Sequence, residues 1–269
     1  MDYNKIVIIN LNEISSIPID KLTNLTHLTF GYEFNQPLSN SLDQLINLNH
    51  LNFCCEFSQP LNNSLDKLTN LTHLTFGYHF DQPLTNSLDK LTSLQYLTFG
   101  RIFNQPLSNS LDKLTNLTHL TFGYWFDQPL TNSLDKLTNL THLTFGHWFN
   151  KPLDDILYYL IKIEHLTLGY EFNQELNLHS NIKILTLDCN NQNIIDFLPN
   201  SINQLNFNSG FNLPLDNLPN SIKKISFDKD SKYNISLNNL PNSLEQLELP
   251  KNYKLEIKNI PSNCEIINL

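Results

Sequence analysis

Apolar residues return along this chain in one fixed order. In the stretch Leu117-Thr118-His119-Leu120-Thr121-Phe122, the apolar positions fall at 117, 120 and 122. Leu120 and Phe122 are two residues apart, so in a strand they share a face while His119 and Thr121 turn the other way. Phe126, Leu130, Leu134 and Leu137 complete the apolar set of the unit. Aligned on the residue that follows the strand, Gly31, Cys54, Gly77, Gly100, Gly123, Gly146 and Gly169 recur every 23 residues. A fixed period of this length predicts a stack of repeats and not a closed globule. One copy cannot bury its apolar face alone, whereas stacked copies share theirs.

Equivalent strands of successive copies must be parallel, because about 17 residues separate them, enough for a crossover. Pro129 keeps Phe126-Asp127-Gln128-Pro129-Leu130 out of the ladder, and Ser133 is placed to cap a single helical turn. Residues 1–22 form a leading segment with a first strand around Ile6 and Ile8, Leu11-Asn12 taking the later Phe-Asn place. Residues 23–169 carry regular repeats with strand centres at Leu28, Leu51, Leu74, Leu97, Leu120, Leu143 and Leu166. Residues 170–269 keep the logic with a shorter, divergent period, centres falling at Leu185, Leu205, Ile225, Leu247 and Ile267. The expected fold is one β-rich solenoid over 1–269, with about thirteen short parallel strands in a single concave sheet and loops and short helical turns on the convex side.

The unit resembles a leucine-rich repeat. Its words Phe34-Asn35-Gln36-Pro37 and Phe103-Asn104-Gln105-Pro106, with Asp81 and Asp127 in the Asn place, resemble the FNIP repeat family. That family occurs mainly in amoebae and in the large DNA viruses that infect them, often beside an N-terminal F-box. The resemblance implies a concave partner-binding face and substrate recruitment for ubiquitination. Residues 1–22 are too short for an F-box, so that role is expected to run through a separate adaptor.

Composition narrows the function. Alanine is absent, Val7 is the single valine, and asparagine makes up about 15% of the chain, far above ordinary usage. A net charge of −9 argues against a nucleic-acid partner. No apolar run approaches the roughly 20 residues that span a bilayer, and Lys5-Ile6-Val7-Ile8-Ile9 is too short for the core of a signal peptide. Cys54, Cys55, Cys189 and Cys264 make no disulfide framework, which points to a reducing, cytoplasmic compartment, the host cytoplasm for a viral chain.

Two sets of columns could carry function. On the strand, the outward residues read His27, His50, His73, Tyr96, His119, His142 and His165, flanked by Thr29, Asn52, Thr75, Thr98, Thr121, Thr144 and Thr167. A straight ladder of imidazoles offers no tetrahedral shell, so no metal site is expected there; like charges in one column should depress the histidine pKa values. After the strand, the rim reads Tyr32-Glu33, Cys55-Glu56, Tyr78-His79, Arg101-Ile102, Tyr124-Trp125, His147-Trp148 and Tyr170-Glu171. This rim varies while the rest is copied, and Trp and Tyr are the residues that make interface hot spots. Asp43, Asp66, Asp89, Asp112 and Asp135, mostly beside a lysine, read as a solvated convex face.

The chain therefore reads as a non-enzymatic scaffold that binds another protein through His73, His119, Thr121 and His142 on the sheet and Tyr78, Tyr124, Trp125, His147, Trp148 and Tyr170 on the rim. No catalytic residue, metal or cofactor is expected. The rival reading is an enzyme or metal-binding protein that uses the histidine column or Cys54 and Cys55. The unpaired edge at residues 264–269 adds an expectation of self-association.

Overall fold

The computed structural model describes residues 10–11 and 21–269. Thirteen parallel strands lie side by side in sequence order in one sheet. They are β1 (Asn10–Leu11), β2 (His27–Phe30), β3 (His50–Asn52), β4 (His73–Thr75), β5 (Tyr96–Thr98), β6 (His119–Thr121), β7 (His142–Thr144), β8 (His165–Leu168), β9 (Ile184–Leu187), β10 (Gln204–Phe207), β11 (Lys224–Phe227), β12 (Gln246–Leu249) and β13 (Glu265–Asn268). In the regular repeats the register sets each central leucine opposite the next, as Leu97 opposite Leu120 and Leu120 opposite Leu143.

The two ends of the array differ from the sequence reading. Ile6, Ile8 and residues 12–20 lie outside the described residues. Leu11 pairs with Phe30, so it holds a strand position and not the Phe34 place; the spacing there is 19 residues where a period of 23 was assumed. In β13 it is Ile266, not Ile267, that pairs with Leu247. Adjacent isoleucines hide the alternation from the sequence, and packing against the core selects Ile266.

The core is the repeated apolar set. Leu117, Leu120, Phe122, Phe126, Leu130, Leu134 and Leu137 are each at most 2% exposed. The two phenylalanines of a repeat stack on each other, as Phe99 on Phe103 at 4.1 Å and Phe122 on Phe126 at 4.0 Å between ring centroids. Each row also continues from repeat to repeat, so a double aromatic spine runs through the array.

Asparagine's abundance has a structural use. The Oδ1 of Asn35 accepts the backbone N–H of Ser58 at 3.0 Å. Asp81, Asn104, Asp127 and Asn150 do the same for Asn104, Asp127, Asn150 and Asn173, each at 2.9 Å. Only an Oδ1 acceptor is needed, which is why Asp and Asn interchange in the Phe-Asn-x-Pro word. Where the acceptor is the carboxylate of Asp127, the residue reaching back to it is Lys151, at 2.6 Å; where it is the amide of Asn104, that residue is Gln128, at 3.1 Å. The asparagine before the strand forms a second ladder, Asn116 donating to the Thr92 carbonyl and Asn139 to the Thr115 carbonyl, both at 2.8 Å.

The convex side is built of turns. In the repeats whose turn begins Leu-Ser or Leu-Asn, the residue after leucine takes a left-handed backbone: Ser39 and Asn62 at φ 46° and Ser108 at φ 43°. Where threonine follows leucine, the left-handed residue moves on by one, to Asn86 at φ 56° and Asn132 at φ 58°. A β-branched side chain resists positive φ, and asparagine tolerates it. The helical turn expected at Ser133 is absent. Its hydroxyl donates to the Thr131 carbonyl at 3.4 Å, and the segment runs as i to i−3 turns such as Leu137 N–H to Leu134 O. Among the described residues α-helix forms twice, at α1 (Asp154–Tyr159) and α2 (Gln192–Asp196). The helix α1 stands where the earlier repeats place their left-handed turn, with Ile156 and Leu157 inside and Tyr158 and Tyr159 exposed.

Candidate functional site

Ring spacings show which face is concave. Along the histidine column, centroids are 3.9–4.2 Å apart. Along the strand phenylalanines they are 5.2–5.8 Å apart, and along the second phenylalanine row 5.8–6.2 Å. Strands themselves lie about 4.8 Å apart. The stack is therefore compressed on the histidine side and spread on the far side, and the histidine face lies inside the curve.

The imidazoles of His27, His50, His73, His119 and His142 are oriented from behind. Nδ1 lies 2.9 Å from the hydroxyl of the preceding threonine in the pairs Thr72–His73 and Thr118–His119, and 2.8 Å in Thr141–His142. Those hydroxyls donate their single proton to a carbonyl of the previous repeat, as Thr72 to Asn49 at 2.9 Å and Thr141 to Thr118 at 3.1 Å. The hydroxyl oxygen is left as an acceptor, so Nδ1 carries the proton. For His50 the partner is Asn49 Oδ1, also an acceptor, at 2.7 Å. The neutral column thus leaves Nε2 as a hydrogen-bond acceptor, repeated along the face beside the threonine row. The threonines that set this tautomer were not among the residues singled out from sequence, although their place before His27, His73, His119 and His142 was the signal.

Burial pushes His50 and His142 down to about 4, with neighbouring imidazoles as the second cause. His73, His119 and His165 are also lowered, with burial again first. The direction expected from sequence holds, but desolvation leads and mutual repulsion follows. The sign for stability is clear. Above about 6.5 both folded and unfolded imidazoles are neutral and contribute nothing. As pH falls from about 6.5 towards about 4, the unfolded chain takes up protons first and the fold loses stability. His142→Tyr, which copies the residue at position 96, should flatten this part of the stability-against-pH curve. A denaturant midpoint measured across that range checks it, and an unchanged slope would contradict it.

The rim beyond the strands is held by its own backbone ladder. Trp125 N–H donates to Arg101 O at 2.9 Å and Trp148 N–H to Tyr124 O at 3.0 Å. This register stacks Trp125 on Trp148 at 5.3 Å with planes 8° apart. Tyr124 stacks on His147 at 4.5 Å, and His147 on Tyr170 at 5.0 Å. The indoles are not sealed beneath anything, since Trp125 is 46% and Trp148 40% exposed. Arg101, absent from the sequence-derived set, lies between Tyr78 and Tyr124, its guanidinium 5.4 and 4.4 Å from the two ring centres. It joins Tyr78 to the aromatic strip. The strip and the column run side by side across β4–β8. After β8 the outward histidine position is taken by Ile184, Gln204, Lys224, Gln246 and Glu265, so both features are confined to the first part of the array.

Comparison with known proteins agrees with this architecture. The FNIP repeat model matches residues 211–252, which carry Phe211-Asn212-Leu213-Pro214. Among solved structures, the chain is similar to CroV588, described as a novel circular leucine-rich-repeat protein, at 35% identity and a TM-score of 0.70. That match covers 98% of this chain and 38% of CroV588, so the chain spans well under half the length of that relative. An internalin, InlF, from Listeria monocytogenes matches at 16% identity and a TM-score of 0.58, over 93% of this chain and 82% of its own. TLR13, solved in complex with ssRNA13, matches at 15% identity and a TM-score of 0.66, over 95% of this chain and 45% of its own. The last two likenesses show the fold alone. No curated protein matches the chain significantly. Among the described residues no helix is long and apolar enough to cross a membrane.

Proposed function

Because this chain is a leucine-rich-repeat-like solenoid that contains an FNIP repeat, we propose that it is a non-enzymatic scaffold that holds another protein against the concave sheet and its rim. The observation that carries this reading is the stacked, half-exposed pair Trp125 and Trp148 beside the Tyr124–His147–Tyr170 strip. Exposed, mutually fixed aromatic rings bury a large area at little entropic cost when a partner covers them. His73, His119, Thr121 and His142 extend the surface across the sheet, and Tyr78 extends it along the rim.

The chemistry of the face favours one kind of partner. Neutral imidazoles with free Nε2 atoms accept hydrogen bonds, and the whole chain carries a net charge of −9. A protein segment rich in N–H donors and cationic side chains complements both the acceptors and the aromatic rings. A nucleic-acid backbone would meet repulsion instead. On the strength of the family resemblance, we extend the proposal to substrate recruitment for ubiquitination through a separate adaptor, in the cytoplasm.

Trp125→Ala combined with Trp148→Ala should weaken partner binding by at least about 2 kcal/mol, roughly thirtyfold. Both side chains project from the rim, so circular dichroism and the unfolding midpoint should stay as in the parent. Calorimetric titration with the partner decides it, and an unchanged affinity in a folded double variant overturns the assignment of the site.

A further inference from the structure

Cys55, Glu56 and His79 stand together at one corner of the rim. Cys55 occupies the column that Tyr32, Tyr78, Tyr124 and Tyr170 fill elsewhere, and His79 occupies the column of Glu33, Trp125 and Trp148. The rim ladder brings them to one place, His79 N–H donating to Cys55 O at 2.9 Å and Glu56 N–H to Tyr32 O at 3.1 Å. One thiol sulfur, one carboxylate oxygen and one imidazole nitrogen lie within 4.8 Å of one another, all on half-buried residues. Glu56 Oε1 and His79 Nε2 are 3.8 Å apart.

We propose that Cys55, Glu56 and His79 form a binding site for a single divalent cation of the zinc class. The donor set decides the class. A thiolate with an imidazole favours zinc-like ions over magnesium or calcium, which take oxygen ligands. Ligands on a tetrahedral zinc at about 2.0–2.3 Å are about 3.3–3.6 Å from one another. Closing the present separations to that range takes shifts of about 1 Å or less, well within the rotamer freedom of half-exposed side chains. Three protein ligands leave the fourth position to water. On binding, the Cys55 thiol forms the metal–sulfur bond and releases its proton to solvent. The histidine column is not the site, because its nitrogens come from parallel rings on one face and bring no sulfur or carboxylate to an ion.

Cobalt(II) is the probe, because a thiolate ligand gives it a charge-transfer band in the near ultraviolet that imidazole and carboxylate do not. The metal-free chain titrated with Co2+ should develop that band to one equivalent and lose it when Zn2+ is added. Cys55→Ser should abolish the band. His79→Ala and Glu56→Gln should weaken binding at least about tenfold, since even outer-shell partners account for that much. Cys54→Ser and His119→Ala should leave the titration unchanged, and circular dichroism should show every variant folded. No charge-transfer band in the parent chain would overturn the proposal. So would a band that survives Cys55→Ser, or one lost equally with Cys54→Ser.

Discussion

Phe103→Ala should destabilise the array by about 3–5 kcal/mol, the usual cost of emptying a buried phenylalanine site. Phe103 is fully buried, stacked at 4.1 Å on Phe99 and at 6.1 Å on each of Phe80 and Phe126. The cavity would sit in the middle of the aromatic spine, walled by repeats whose backbones are fixed by the sheet on one side and the asparagine ladder on the other. Little can collapse into it. Because each repeat is stabilised by its neighbours alone, the damage should also weaken coupling between the two halves. Denaturant unfolding should show a lower midpoint and a broader or divided transition. A loss below about 1 kcal/mol would mean that the spine is not the main source of cohesion. Tyrosine takes this place late in the chain, where the hydroxyls of Tyr233 and Tyr253 donate to the carbonyls of Leu213 at 3.2 Å and Ile235 at 3.0 Å; alanine offers neither ring nor partner.

Gly100→Ala should cost at least about 2 kcal/mol, towards the upper part of the range for overpacking. No glycine among the described residues has positive φ, so backbone conformation is not what the position requires. The requirement is contact between neighbouring turns. A Cβ on Gly100 would lie 1.6 Å from the carbonyl oxygen of Gly77 and 2.5 Å from its carbonyl carbon. Both obstacles are backbone, so the turns themselves must part. Among the 23-residue repeats Cys54 is the one side chain in this column, which shows that a turn can yield, but the adjoining repeats were not built for it at position 100. Thermal unfolding of the single variant measures the cost, and a midpoint within experimental error of the parent would show that the turns slide apart freely.

Much of this fold was legible because each repeat corrects the reading of the next. The apolar set of one unit, the parallel strands and the outward columns all follow from a period of two inside a period of 23. Legibility failed where the repetition failed. Leu11 and Ile266 sit at the two ends, where fewer neighbours fix the register and strand pairing decides it. The helix α1 stands in place of the left-handed turn of the earlier repeats, a local conformational choice that apolar spacing does not encode. The asparagine ladder was visible only as a composition bias and as the Asn or Asp of the Phe-Asn-x-Pro word, because its donors lie one full repeat away. The fall in histidine pKa was foreseen from like charge, yet its leading cause is the burial produced by tight stacking on a concave face. On the rim, Trp125 beside Trp148 follows directly from the period. The Cys55–Glu56–His79 corner is diagonal across two repeats and emerges once neighbouring rim words are set side by side.

The chain contains two tryptophans, and both lie on the rim, 5.3 Å apart. Fluorine NMR of the fluorotryptophan-labelled chain therefore reports on the proposed site and on nothing else in the molecule. Both resonances should shift, and both should lose accessibility to a soluble paramagnetic quencher, when a protein partner binds. Two unmoved, equally accessible resonances in a complex shown to form by sedimentation would place the partner elsewhere and contradict the assignment of the concave face and rim.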